Sequence, residues 1–456
     1  MAAQSCDLTV VEAAAQVAKG ELSPVELVRS CLERIDELEA KIQAWALVDR
    51  SGAMAEARRC EAEVASGQRR GPLHGIPVGL KDIIFTSGLP TEGGSRAWAG
   101  FVPSYDASTV VKLKEAGAII LGKLHTAELA GYDPPPTRNP WNTAHTPGGS
   151  SSGSGAAVAA RMCLAALGTQ TSGSALRPAA YNGVVGLKAQ HGRISAHGVI
   201  PVSPMMDHVC IIARTVEDAA LVLQVAAGYD PLDHYSLAEP VLEYHAGLES
   251  QRIPPRLGLV REFFFERVDE EMRRHVQEAV GLLCRAGAVV DEVKLPATFD
   301  KIPDTHRTIT LVDRASYHQE AFVQCKDKFG PHLQAMIEVG LTIPAIHYSR
   351  AFYNRLQHRL EVEPLMRQWD ALLTPGAPGV APRDPTTTGD PIIQLPWTHL
   401  GMPAVSLPCG LGRSGLPLAI QLVGAPFAEE RLLAVARWCE RTLGVELIPS
   451  VVHQGG

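Results

Sequence analysis

Three segments of this 456-residue chain carry side chains whose types suit hydrolytic chemistry. Lys81 sits in the apolar run 75–82, the loop 147–155 holds three adjacent serines, and the segment 168–174 ends in Gly-Ser. Serine is a weak nucleophile until a base takes its proton, and the developing oxyanion needs backbone N–H donors. A lysine flanked by strand-forming apolar residues is predicted to be buried, which favours its neutral, basic form. The three segments together predict a serine hydrolase that uses lysine as its base.

The region from Gly71 to about Ser203 resembles the amidase signature family, and the segments 401–408 and 415–427 resemble its C-terminal strands. The resemblance rests on a series of motifs in a fixed order rather than on one short pattern. They are Gly148-Gly-Ser-Ser151, an alanine-rich helix over 156–166, a turn at Gly168-Thr169, then Gly173-Ser174, Pro178-Ala179 and Gly183-Val-Val-Gly-Leu-Lys188.

The resemblance implies a role for each matching residue. Lys81 would be the base, Ser150 the bridging serine after a cis peptide bond from Gly149, and Ser174 the nucleophile. The backbone N–H groups of Thr171, Ser172, Gly173 and Ser174 would hold the oxyanion, Gly131 and Tyr132 would contact the substrate, and neither a metal nor a cofactor is expected.

The expected reaction follows from these roles. Neutral Lys81 draws a proton through Ser150 from Ser174, which attacks the substrate carbonyl; the proton returns to the leaving amine, and water clears the acyl-enzyme. An unperturbed lysine titrates near ~10.4, so Lys81 needs burial without a touching carboxylate. Asp82 is adjacent, but successive strand residues point to opposite faces.

The chain departs from the usual family pattern in the segment that carries the nucleophile. Gln170 stands where many members have Asp, Ser172 where they have Gly, and Arg177 comes one position later than the usual arginine. Together these changes resemble a subgroup with a Gln-Thr-x-Gly-Ser turn. They leave the backbone donors in place, but they weaken any substrate assignment taken from the aspartate-bearing members.

Short apolar strands alternate with helices along the whole chain, which indicates an α/β fold. We expect the amidase signature fold, a large central mixed β-sheet covered by helices on both faces, in a single domain over 1–456. Its parts would be N-terminal helices in 1–70, the catalytic core in 71–203 and a variable region in 297–367 that shapes the substrate pocket. Two capping boxes, Thr9 with Glu12 and Ser23 with Glu26, predict the first two helix starts.

Composition narrows the partners and the compartment. A net charge of −7 with only short basic clusters argues against nucleic acid, and no apolar run is long enough to span a membrane. Nine scattered cysteines and a start without the layout of a secretory signal favour a cytoplasmic protein. We expect a small-molecule amide or carbamate as the ligand, and a homodimer is compatible with the sequence.

The expected function is hydrolysis of a C–N bond in a small amide through a serine acyl-enzyme, with esterase or urethanase side activity. A carbamate or urea-type hydrolase with the same triad is one alternative. An amidotransferase-type subunit or a catalytically weak structural subunit is another.

Other interpretations of the motifs are weaker. Lys81 alone could be a strand-end lysine that extends to water, but the two serine-bearing segments argue otherwise. An α/β-hydrolase elbow at Ser151 needs a strand directly before it, whereas the preceding residues are loop-forming. A phosphate-binding loop would end in Gly-Lys-Ser/Thr, and this one runs into Ala-Ala-Val.

Overall fold

One mixed sheet runs through the computed structural model, which describes residues 4–250 and 254–453. Its strands are β1 (Trp45–Val48), β2 (Pro77–Lys81), β3 (Ile119–Leu124), β4 (Ala165–Gln170), β5 (Val185–Lys188), β6 (His208–Ala213), β7 (Arg256–Leu259), β8 (Val289–Glu292), β9 (Ala371–Pro375), β10 (Ala404–Leu411) and β11 (Pro417–Val423). Their order across the sheet is β1-β3-β2-β4-β6-β5-β10-β11-β9-β7-β8.

Helices occupy most of the remaining chain. They are α1 (Val10–Lys19), α2 (Pro24–Ile42), α3 (Arg50–Ala65), α4 (Ser108–Glu115), α5 (Ser152–Ala159), α6 (Leu176–Asn182), α7 (Val216–Ala226), α8 (Tyr244–Gly247), α9 (Glu270–Arg285), α10 (Ile302–Cys325), α11 (Pro331–Thr342), α12 (Ala345–Met366), α13 (Leu395–His399) and α14 (Glu429–Leu443).

Helices cover both faces of the sheet, as the α/β prediction requires. Every residue of β2, β3, β4, β5, β6, β9 and β11 is buried. Because alternate residues of a strand face opposite sides, a strand buried throughout has packed layers on both sides. The predicted α/β architecture, a large mixed sheet covered on both faces, is confirmed.

Strand pairing brings the lysine segment and the serine segment together. Strand β2 lies between β3 and β4 and runs parallel to both, with Leu80 opposite Leu167. Parallel strands end at the same edge of a sheet, so Lys81 at the end of β2 comes beside the last residues of β4. The sheet therefore places the predicted base next to the start of the Gly-Ser segment.

The N-terminal capping predictions hold at one helix and in part at the other. Thr9 accepts from the Glu12 N–H while Glu12 accepts from the Thr9 N–H, a complete capping box. Ser23 caps α2, but the Glu26 carboxylate accepts from the Ser5 hydroxyl instead of closing a box.

The alanine-rich segment 156–166 is not one helix, and that prediction is wrong. Helix α5 begins earlier and ends at Ala159, because Arg161 adopts a left-handed φ of 59°. The Arg161 guanidinium lies 2.9 Å from the Asp7 carboxylate. The chain then enters β4. Gly168-Thr169, predicted as a turn, belongs to this strand, where both residues pair with β6.

Among the helices that the structure describes, none is both long and apolar enough to cross a lipid bilayer.

Candidate active site

Lys81 is fully buried at the end of β2, as predicted. Its Nζ lies 2.7 Å from Ser150 Oγ and 2.7 Å from Thr169 Oγ1. Burial lowers the pKa of Lys81 to about 7. Asp82 does not offset this effect by contact, because its carboxylate turns to Lys123 Nζ at 3.7 Å. Near neutral pH the amine is therefore free of its proton in a large share of molecules.

The structure separates the three adjacent serines by what their hydroxyls contact. Ser150 reaches Lys81, and its peptide bond from Gly149 is cis, as the resemblance implied. The Ser151 hydroxyl exchanges hydrogen bonds with the backbone of Thr169 at 3.1 and 3.2 Å, and Ser152 donates to the Gly148 carbonyl at 2.7 Å. Of the triplet, Ser150 is the serine whose hydroxyl contacts the Lys81 amine.

Ser174 lies between the end of β4 and the start of α6. Its carbonyl accepts from the Ser151 N–H at 2.9 Å, which ties it to the residue after Ser150. Within residues 4–250 and 254–453, the N–H groups of Ser172, Gly173 and Ser174 donate to no backbone or side-chain acceptor. Free N–H groups in one turn are what an oxyanion requires. We call residues 171–174 the oxyanion turn.

Two adjoining cavities meet at this turn. The inner one, about 40 Å³, is lined by Ser174 together with Thr171, Ser172, Gly131 and Tyr132. The outer one, about 470 Å³, shares Tyr132 and Ser172 with it. Both residues predicted to contact substrate, Gly131 and Tyr132, thus lie on the wall beside Ser174.

The region 297–367 forms much of the outer wall. The surface of the cavity is largely apolar, although polar and charged residues are half of those that α10 and α11 contribute: Pro303, Asp304, His306, Arg307, Thr310, Leu311, His332, Ala335, Met336 and Val339. Ligand pockets commonly measure about 300–1,000 Å³, so the cavity is large enough for an acyl group of several carbon atoms.

Sequence reasoning missed several side chains that support the site. Thr169 Oγ1 accepts from Lys81, and Thr171 Oγ1 donates to the half-buried Asp207 carboxylate at 2.5 Å. Arg314 on α10 donates to the carbonyls of Leu129 and Ala130, which precede Gly131. These contacts join residues 36 to 185 positions apart, or strands whose register the sequence alone does not fix.

One cluster elsewhere has ligand types that suit a metal. Atoms of Cys60, Glu63 and His74 lie within 4.8 Å of one another. Arg70 already lies among them, since its guanidinium contacts Cys60 Sγ and Glu63, both at 2.9 Å. Burial also raises the pKa of Cys60 to about 11, which disfavours the thiolate that binds metals. The cluster fits an arginine-centred ion network better than a metal site.

The geometry is suited to one class of chemistry. A base with a pKa near 7 contacts a hydroxyl, a second serine lies in a cavity with free N–H donors, and burial keeps water away from the amine. This arrangement can activate a serine toward a carbonyl carbon and stabilise the resulting oxyanion.

Comparisons with known proteins agree with the motifs and the fold. The model of the family described as Amidase matches residues 26–433. A glutamyl-tRNA(Gln) amidotransferase subunit of Myxococcus xanthus is 39% identical, with 96% of this chain and 98% of the relative covered.

Solved structures extend the comparison. The native peptide amidase from Stenotrophomonas maltophilia is 32% identical, with a TM-score of 0.85 over 97% of this chain and 98% of that one. A chain of a vestigial protein complex that bears on the origins of an s-triazine catabolic enzyme is 29% identical, with a TM-score of 0.90 over 95% and 98%.

Proposed function

This chain belongs to the amidase family, and from that membership and the site geometry we propose that it hydrolyses carboxamide C–N bonds through an acyl-enzyme on Ser174. One observation carries the proposal. The buried amine of Lys81 lies 2.7 Å from Ser150 Oγ, beside a turn in which the N–H groups of residues 172–174 have no acceptor in the described chain.

The reaction has two halves that use the same proton path. In acylation, Ser174 attacks the carbonyl as Ser150 relays its proton to Lys81, and the N–H groups of the oxyanion turn hold the oxygen. The C–N bond then breaks as the proton returns to the nitrogen. In deacylation, water attacks the acyl-enzyme by the same route, and the acid leaves.

The fate of the released nitrogen distinguishes two versions of this function. In the first, the chain is a stand-alone amidase, which the apolar cavity of about 470 Å³ favours because it admits a sizeable acyl group. In the second, it is an amidotransferase-type subunit that passes ammonia to a partner. The second is favoured by relatives 36 to 39% identical over nearly the whole chain, which are named as subunits of a glutamyl-tRNA(Gln) amidotransferase. The comparisons favour it more strongly than the first.

The two versions also differ in their partners. The relatives' name places a glutamyl-tRNA in the reaction of their assembly. The expectation of a small-molecule ligand without nucleic acid therefore applies to the stand-alone version alone. Carbamates and ureas present the same carbonyl geometry to Ser174, so they belong in any substrate panel.

The test is a substrate panel on the purified chain without other proteins. It contains L-glutamine, alkyl and aryl amides, p-nitroanilides, a carbamate and a urea, and the measured quantity is released amine or ammonia. Multiple turnovers of an alkyl or aryl amide would establish the stand-alone version. Slow release of ammonia from glutamine, with no turnover of the other amides, would establish the amidotransferase version. Ser174→Ala serves as the inactive control. The proposal fails if no compound is turned over and none acylates Ser174.

A further inference from the structure

The oxyanion turn is held from outside by side chains that are distant in sequence. The carbonyl of Ser172 accepts from Thr398 Oγ1 at 2.7 Å, and the Ser172 hydroxyl lies 2.8 Å from His306 Nε2. Thr398 lies on α13 and His306 on α10, so neither belongs to the motif-bearing core. Both side chains are buried.

Gln170 connects the turn to Thr398 through both ends of its amide. Its Oε1 accepts from the N–H groups of Ala175 and Leu176 at 3.0 and 2.9 Å, and its Nε2 donates to Thr398 Oγ1 at 2.9 Å. A carboxylate at this position could accept both N–H bonds, but it could not donate to the threonine. Because glutamine donates to the threonine, the threonine proton stays available for a carbonyl, and the Ser172 carbonyl at 2.7 Å lies closer than that of Gln394 at 3.1 Å.

The position of the Ser172 carbonyl also determines the direction of the Gly173 N–H group. In a planar trans peptide the C=O of one residue and the N–H of the next point in opposite directions. Since Thr398 holds the Ser172 oxygen, the Gly173 N–H must point away from Thr398. Gln170 Oε1 accepts from the N–H groups of Ala175 and Leu176 and not from those of residues 172–174. The N–H groups of residues 172–174 therefore stay free within the described chain.

His306 connects the oxyanion turn to the pocket region in a similar way. His306 lines the outer cavity, and burial lowers its pKa to about 3, so the ring is neutral under ordinary conditions. Its ring lies 5.7 Å from that of His399, whose Nε2 lies 3.2 Å from His358 Nδ1. These buried rings give His306 a fixed place against Ser172.

We propose that Gln170, Thr398 and His306 are positioning residues, which hold the oxyanion turn so that its backbone N–H groups face the substrate carbonyl. This inference rests on the proposed function of the turn. It gives Gln170 a specific role, because the glutamine and Thr398 act as one unit. In this chain the glutamine that stands in place of aspartate has a hydroxyl partner on α13.

Thr398→Val gives the sharpest test, because valine keeps the shape and removes the hydroxyl. We expect a fall in kcat of about 10- to 100-fold on an amide of the substrate panel, since small displacements of a reacting geometry cost about that much. KM should change less than about threefold, because the turn acts mainly in the transition state. Thr398→Ser should restore kcat to within about threefold.

A chemically matched pair serves as the control. Thr374 accepts from Gln421 Nε2 at 3.0 Å, both side chains are fully buried, and neither lines the cavities. Thr374→Val should leave kcat unchanged while it removes an equivalent hydrogen bond. In a double-mutant cycle, Gln170→Glu should lower kcat when it is the only substitution. It should lower kcat little further when Thr398→Val is already present.

Hydrogen exchange of the peptide that contains residues 171–177 tests the inference without any turnover, because Gln170 holds the Ala175 and Leu176 N–H groups within it. Exchange should be faster in Thr398→Val and His306→Phe than in the unmodified protein, and unchanged in Thr374→Val. Absence of amide turnover in the unmodified protein would contradict the proposed function, whereas exchange would still report on positioning. Equal kcat in Thr398→Val and the unmodified protein, or equal exchange in Thr398→Val and Thr374→Val, would overturn the inference.

Discussion

The pH dependence of amide hydrolysis should report the titration of Lys81. Free lysine has a pKa near ~10.4, so only about one molecule in 2,500 is neutral at pH 7. With its pKa lowered to about 7 by burial, Lys81 is unprotonated in about half of the molecules at that pH. Because only the unprotonated amine accepts the proton of Ser174, kcat/KM should rise about tenfold from pH 6 to pH 8 and then level off.

The assay is initial-rate hydrolysis of a p-nitroanilide between pH 5 and pH 10 at constant ionic strength. Lys81→Ala should lower kcat/KM by about 10²- to 10⁴-fold, the usual contribution of a general base, with an unchanged circular dichroism spectrum. Lys188 is the matched control, since it too is fully buried with a pKa of about 7, yet it contacts the carbonyls of Ala189 and Met402. Lys188→Met should leave the midpoint where it was.

A carboxylate that contacts the oxyanion turn has a pKa close enough to that of Lys81 to be confused with it. Burial raises the pKa of Asp207 to about 6, and this carboxylate accepts from Thr171 in the oxyanion turn. Asp207→Asn should therefore keep a midpoint near 7 if Lys81 is the base. A rate that is flat from pH 6 to pH 9, a midpoint near 10, or full activity of Lys81→Ala would refute the reasoning.

Two further predictions concern the serine triplet and the buried ion pair beside β2. Ser150→Ala should reduce amide turnover far more than Ser151→Ala or Ser152→Ala. It should reduce turnover of p-nitrophenyl esters less than that of amides, because a phenolate leaves without a returned proton. Equal losses at all three serines would contradict the relay. Lys123→Met should lower the free energy of unfolding by about 3–5 kcal/mol near pH 7, between the pKa of Asp82 at about 6 and that of Lys123 at about 8, since Asp82 loses its buried partner. In denaturant titrations that loss should shrink at pH 5, where Asp82, whose pKa is raised to about 6, is protonated and uncharged; a loss that is independent of pH would contradict this account.

The motifs were sufficient to predict the fold, the burial of Lys81 and the cis peptide bond before Ser150, because each is marked by local sequence. The apolar neighbours of Lys81 predict a buried strand, and the dense order of Gly/Ser motifs identifies the family. The choice of Ser150 within its triplet came from the resemblance. Its physical reason is visible only in the structure, where the Ser151 and Ser152 hydroxyls are occupied by backbone atoms.

The supporting contacts could not be predicted because they depend on tertiary packing. Nothing in the sequence near Ser172 points to His306, 134 positions away, or to Thr398, 226 positions away. The end of α5 was missed for a similar reason, since the left-handed Arg161 is stabilised by a distant carboxylate, Asp7. Gln170 was visible as a departure from the family pattern, but its two-sided hydrogen bonding was not.

The roles of the triad and the oxyanion turn, a homodimer and a cytoplasmic location stay predictions. Of these, the role of Ser174 decides whether the account as a whole stands.

Covalent labelling of Ser174 tests the central claim most directly. The purified protein is mixed with an activated aryl carbamate or a fluorophosphonate, and intact-protein mass spectrometry and peptide mapping locate the adduct. We predict one adduct per chain on the peptide that contains Ser174, its absence in Ser174→Ala, and much slower labelling in Lys81→Ala. An adduct on Ser151, or equal labelling of Ser174→Ala, would contradict the account.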